Sequence, residues 1–196
     1  MSHVLDNVAL DTLFRNARSH NGWLDKDISD EQLHQLYDLF KMGPTSANSC
    51  PARIRFVRTA EAKEKLKACL QQGNIEKSMT APVVAIIAMD MKFYEQLPLL
   101  FPHTDAKSWF EGKADKIRLT ALRDSTLQGA YLMLAARSLG LDCGPMSGFD
   151  NKKLDEEYFK GRDIESIFIC ALGYGDENKL HPRGPRLDFD QVCEIL

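Results

Sequence analysis

The chain has 196 residues, 44% of them hydrophobic and 27% charged, with a formal net charge of −3. That is enough for one domain with a substantial core, and the balance carries no electrostatic footprint for nucleic acid. The longest apolar stretch, VVAIIAM, is too short to span a bilayer, and the opening MSHVLDNVALD lacks the basic–apolar–small order of a signal peptide. Five scattered cysteines without a C-x-x-C predict reduced thiols in a cytoplasm, and with no metal-ligand spacing among the histidines no metal site is expected.

No repeat or linker divides residues 1–196, so they are read as a single domain. An amphipathic helix is expected through Leu10, Leu13, Phe14 and Ala17. The next helix carries Ser29 as N-cap, Gln32 as its capping-box partner, and Ile28 facing Leu33 as a hydrophobic staple. Its apolar face is Leu33, Leu36, Tyr37 and Phe40, and it stops at Gly43–Pro44. Ile54–Arg58 alternates as a half-buried strand, and Ala60–Leu70 reads as a helix capped by Thr59. Val83–Met89 is a β-branched run suited to a strand buried on both faces. The longest helix is predicted over Ala114–Leu139 with Gly140 as its stop, then a short helix over Lys152–Phe159 and a buried strand, SIFICALGYG. Interleaved helices and strands point to a sheet with helices packed around it.

Two Gly-Pro islands stand out, GPTSAN at Gly43–Asn48 and GPMSGFD at Gly144–Asp150. Glycine lets a backbone approach a ligand and proline fixes φ, so both read as preset surfaces for a flat, hydrogen-bonding heterocycle, or else as helix C-terminal turns. Neither has the Lys-Ser or Lys-Thr ending of a phosphate loop, and no G-x-S-x-G elbow occurs. Arg15, Arg18, Ser19 and His20 cluster at a helix end, and Arg183 and Arg186 lie in a Pro-rich tail. Either group could grip a phosphate, and either could be simply solvated. Cys50 has no base beside it and is read as structural or a spectator.

P44-T-S-A-N-S-C-P51, L139-G-L-D-C-G-P-M-S-G-F149 and the terminal G173-Y-G…R-G-P-R186, in this order, resemble the nitroreductase-like flavoprotein family over nearly the whole chain. Within it, GPTSAN, LPLLFPHTDAKSWF and GPMSGFD look closest to the subgroup that reduces malonic semialdehyde to 3-hydroxypropionate. The resemblance implies an α+β fold with a central, mostly antiparallel sheet flanked by helices. It also implies FMN held without a covalent bond at a homodimer interface, and two-electron reduction of a small molecule by NADH or NADPH in a ping-pong cycle. It assigns Arg18, Ser19 and His20 to the first FMN segment, and Pro44, Thr45, Ser46 and Asn48 to a turn lining the flavin. Asn74 would meet the pyrimidine edge of the ring, and Pro145, Met146, Ser147 and Gly148 would present a backbone N–H to N5. Arg186, with Arg183 in a shifted register, would hold the phosphate. His103, Lys107 and Trp109 of the aromatic middle segment would cover the ring and choose the second substrate. The chain departs from the family pattern at Cys50, where many members have Gln, at Ser147, where Glu is common, and at Gly184, where a basic residue is usual. The rival readings are a broad nitro or quinone reductase and a flavin-binding protein without turnover.

Overall fold

A computed structural model describes residues 3–196. Its centre is a four-stranded sheet in which β2 (Val83–Asp90) and β4 (Ile164–Gly173) lie between β1 (Ala52–Val57) and β3 (Asp142–Met146), and every pairing is antiparallel. Helix α1 (Asn7–Leu10) precedes the sheet and runs directly into a π-helical turn, Asp11–Arg15. The expected opening helix therefore ends before Ala17, and none of its residues is buried.

Strand alternation divides the core in two. Val83, Ala85 and Ile87 of β2 share one cluster with Cys170 and Leu172 of β4, and this face is covered by α2 (Asp30–Phe40) and by a long helix later in the chain. Val84, Ile86, Ala88, Ile169 and Ala171 form the opposite cluster, under α3 (Ala60–Lys67). Ile86 and Ile87 are both fully buried, so β2 is sandwiched as its β-branched run predicts; burying each contributes roughly 1.5–3 kcal/mol. The cap of α2 forms as expected: Ser29 Oγ accepts from Gln32 N and Gln32 Oε1 accepts from Ser29 N.

Other elements also differ from the sequence-based expectations. The helix expected over Ala60–Leu70 stops at Lys67, and a further helix, α4 (Gln72–Thr80), follows it. Asn74 is therefore helical. The second island starts as a strand, with Pro145 and Met146 on β3 opposite Cys170 and Ile169. β3 is an edge strand, where a proline without N–H is tolerated. β1 starts at Ala52, two residues earlier than expected.

A short helix, α5 (Leu97–Leu100), opens the middle segment. Next, α6 (Ala114–Ser138) runs for about 37 Å across the sheet and packs on α2 and all four strands. Gly140, at φ +74°, ends it as expected. α7 (Asn151–Tyr158) packs on β4, and α8 (Phe189–Val192) lies in an exposed tail. Among the described residues no helix is long and apolar enough to cross a membrane, and no cluster of metal-ligating side chains occurs.

Candidate functional site

The sheet edge assembles a basic pocket. Ser19 bridges to Cys143, and His20 N donates to the Cys143 carbonyl at 2.9 Å, so β3 captures the segment that carries Arg18. The tail returns over that segment. The Arg18 guanidinium donates to the His181 carbonyl, and Arg183 donates to the Ala17 carbonyl at 3.0 Å. Arg18, Ser19, Arg183 and Arg186 thus line one cavity of about 420 Å³ together with Arg137, and among the described residues none of its lining is acidic. A larger but open hollow of about 670 Å³ is lined by residues 189–195 of the tail alone, and neither island reaches it.

Arg137 escapes sequence reasoning because an arginine in the last turn of a helix reads as an ordinary complement to the helix dipole. Its Nη1 donates to the Leu13 carbonyl at 3.1 Å, while its Nε is buried and has no partner among the described residues. A buried donor without a partner costs about 1–3 kcal/mol, and four guanidinium groups around one cavity repel each other. Both penalties fall if a dianion sits there. His20 does not share this role. It is 5% exposed, its Nε2 lies 3.3 Å from the Asp142 carboxylate, and its ring occupies the space that a side chain at Gly175 would need. Its side chain is packed inside the fold, on the same segment as Arg18.

From Arg137 the exposed face of α6 continues through Met133, Ala130 and Thr126, at helical spacing. These residues, with Phe168 and Pro145–Ser147, line a second cavity of about 330 Å³. The mixture of small and apolar walls suits a flat ring. At its edge the Gly148 carbonyl accepts from Asn74 Nδ2 at 2.8 Å and from Gln71 N at 3.0 Å. A Cβ at Gly148 would lie 2.5 Å from Asn74 Nδ2, so a larger residue there would displace the Asn74 amide. Among the described residues no backbone acceptor takes the N–H of Ser147 or Gly148, which leaves both donors available.

The first island lies elsewhere. Asp124, on the buried face of α6, accepts from Ser46 N at 3.1 Å, Ser46 Oγ at 3.2 Å and Ser49 Oγ at 3.1 Å. Thr45 Oγ1 accepts from Cys50 N, and Asn48 Nδ2 donates to the Leu100 carbonyl. Pro44 and Asn48 remain exposed. Ala47, Asn48 and Cys50 hold φ of 50°, 51° and 42°, left-handed values that cost of order 1–3 kcal/mol each in a non-glycine residue.

The middle segment is packed rather than loose. Phe93, Leu97, Ala106 and Phe110 form a core with Ile117 and Ala121 of α6, and Ala47 of the island packs against it. Trp109 and His103 flank Phe101 on its surface, and Lys107 is already paired with Glu111 at 3.2 Å. The expected site residues therefore form two groups. Arg18, Ser19, Asn74, Pro145–Gly148, Arg183 and Arg186 belong to one side of α6. Pro44–Asn48, His103, Lys107 and Trp109 belong to the other.

Fold and cavities together define an α+β protein with two cavities about one turn of α6 apart, a basic one at Arg137 and a more apolar one at Met133, which as one groove would suit a flat ligand with an anionic tail. The chain belongs to the nitroreductase family, whose model matches residues 15–175, and this makes it an oxidoreductase. A relative from Polynucleobacter asymbioticus, provisionally named NADH dehydrogenase/NAD(P)H nitroreductase, is 56% identical over 196 residues, covering 100% of both chains. Among solved structures, a provisionally named nitroreductase from Bacillus subtilis superimposes with a TM-score of 0.88 at 22% identity, covering 97% of this chain and 100% of its own. One from Exiguobacterium sibiricum, solved with FMN, gives 0.85 at 20% identity, covering 100% of this chain and 99% of its own.

Proposed function

We propose that this chain is an FMN-dependent NAD(P)H oxidoreductase that reduces a small electrophile, with a 3-oxo acid such as malonic semialdehyde as its acceptor. The observation that carries the cofactor is the groove, with four arginines at one end and the free Ser147 and Gly148 N–H groups beside an apolar wall at the other. Arg18, Arg137, Arg183 and Arg186 would hold the phosphate, and Ser147 or Gly148 would hydrogen-bond the ring. Bound FMN supplies two-electron hydride chemistry between the nicotinamide and the acceptor. The relative's name supports NAD(P)H as donor, and the neighbour solved with FMN supports the flavin.

The working unit in this reading is a cytoplasmic homodimer of single-domain chains, with the flavin at the interface. Two observations support the dimer. The two groups of site residues lie on different faces of α6, so one chain alone does not bring them to one ligand. Large apolar side chains also remain exposed on α6 (Leu119, Leu122, Leu127, Tyr131) and at both termini (Val4, Leu5, Val8, Phe189, Ile195). One subunit's island and middle segment would then close over its partner's groove. Five free thiols fit a reducing compartment.

His103 and Lys107 would receive the acceptor's carboxylate while Trp109 shields the ring, and solvent would protonate the product alkoxide. A broad nitro or quinone reductase is the second reading. It is favoured by one observation, the Glu111 partner that already neutralises Lys107. The test is the spectrum of the purified protein, reconstitution with FMN and with riboflavin, and turnover with malonic semialdehyde against nitroaromatics and quinones. A yellow protein that oxidises NAD(P)H with the semialdehyde is expected. Colour without turnover would indicate a carrier, turnover confined to nitroaromatics and quinones would establish the second reading, and failure to bind FMN would remove the cofactor assignment.

A further inference from the structure

We propose that Asp124 is a positioning residue, holding the Pro44–Cys50 turn in the shape in which it meets the flavin site; this rests on the oxidoreductase reading above. The carboxylate is 1% exposed and accepts all three of its hydrogen bonds from the turn, one from a backbone N–H and two from serine hydroxyls. Its nearest cation, Arg123, has its Nε 3.9 Å away and a side chain that is 55% exposed, so no buried ion pair explains the charge. A carboxylate is costly to bury without a cation, whereas charge-assisted bonds are roughly twice as strong as neutral ones. That combination suits a segment that must be held against its own preference. The turn is such a segment, with three left-handed non-glycine residues between Ala47 and Cys50.

The anchor also determines what the turn presents. With Ser46 and Ser49 tied down, Pro44 and Asn48 stay at the surface, and the Asn48 amide ties the turn to the middle segment through the Leu100 carbonyl. Asp124 thereby fixes the turn relative to His103, assigned to the acceptor's carboxylate, and Trp109, assigned to shielding the ring. Asp124 itself touches neither cofactor nor substrate in this arrangement; it acts through Ser46 and Ser49.

The experiment compares the FMN-reconstituted wild-type protein with Asp124→Asn, Ser49→Ala and Ser125→Ala. The last removes a buried hydroxyl that has no partner among the described residues and lies beside Asp124. Amide exchange across residues 44–50 should quicken by roughly tenfold or more in Asp124→Asn, the size of a lost charge-assisted bond, and less in Ser49→Ala. Reoxidation by the acceptor should slow by a similar factor, while Ser125→Ala changes neither. Unchanged exchange in Asp124→Asn would overturn the proposal, as would faster exchange with FMN affinity and both half-reactions intact. An equal response from Ser125→Ala would also overturn it. If Asp124→Asn does not fold, Ser49→Ala carries the same comparison. A wild-type protein that bound no FMN would defeat the oxidoreductase reading instead, and amide exchange would still decide whether Asp124 holds the turn.

Discussion

Asp124 and Thr126 are two residues apart on α6 and face opposite ways, about 200° around the helix axis. Asp124 accepts from Ser46 and Ser49 of the first island, whereas Thr126 lines the cavity bounded by Pro145, Met146 and Ser147 of the second. Two islands that look like halves of one site in sequence are therefore parted by a helix within each chain. In the proposed dimer, close approach of two chains would bring them together and would cover apolar residues such as Leu119 and Tyr131, which are exposed on the same helix.

This geometry predicts complementation between subunits. A variant crippled in the groove (Arg18→Ala with Arg137→Ala) and one crippled in the turn (Thr45→Ala with Asn48→Ala) should each lose activity as homodimers. A hybrid of the two has one site with both halves intact, so activity should return when differently tagged chains are co-expressed and the hybrid is isolated. No recovery, or a flavin-loaded monomer in light scattering, contradicts the shared site.

Arg137→Ala should weaken FMN by about ten- to a hundredfold, the effect of losing a charge-assisted contact, and leave riboflavin binding nearly unchanged. Arg186 also lines the cavity but is exposed, and its guanidinium bonds to the Gly184 and Pro185 carbonyls. It should be free to turn toward a phosphate, and Arg186→Ala should cost more affinity than Arg183→Ala. Fluorescence quenching titrations of FMN and riboflavin read both effects; equal losses for the two flavins would remove the phosphate from this pocket.

The Lys107–Glu111 pair gives a test of the acceptor. Glu111→Gln frees the Lys107 ammonium, so the KM for a carboxylate-bearing aldehyde should fall while the KM for an uncharged quinone stays level. Lys107→Ala should raise the first and spare flavin reduction by NAD(P)H in stopped-flow. Equal changes for charged and neutral acceptors would favour the broad-specificity enzyme.

Stability at low pH should depend on Asp150, the N-cap of α7. The Lys153 backbone N–H, donating at 3.2 Å, holds its carboxyl below the ordinary value of 3.8. A depressed aspartate stabilises the fold above its ordinary value and loses that contribution as pH falls through the folded one. Asp150→Asn keeps a cap acceptor without the titration, so its thermal midpoint should fall less steeply with acid below about pH 4 than the wild type's. Parallel acid limbs in calorimetry would show that the cap contributes nothing there.

Much of the scaffold is legible in sequence because its signals are local. The capping box of Ser29 and Gln32, the β-branched run of β2 and the stop at Gly140 each act within a few residues, and each element forms as those signals require. β3 and α4 are not legible in the same way. Gly144 and Pro145 look like a turn until β4 supplies a partner at a sheet edge that tolerates proline. Gly73 and a weakly amphipathic pattern hide the helix over Gln72–Thr80, which packing stabilises.

For the site, sequence alone determined its ingredients: two islands, an early basic cluster and a late one, in the order of a known family. Only the tertiary structure decided which of them meet. His20 turns inward because Gly175 leaves room for its ring, and Arg137 joins Arg18 because α6 ends where the tail folds back. Asp124 becomes the island's anchor only when α6 packs beneath it. Such relations depend on elements far apart in the chain, and a side chain's direction around a helix sets its role only once the helix has neighbours on each face.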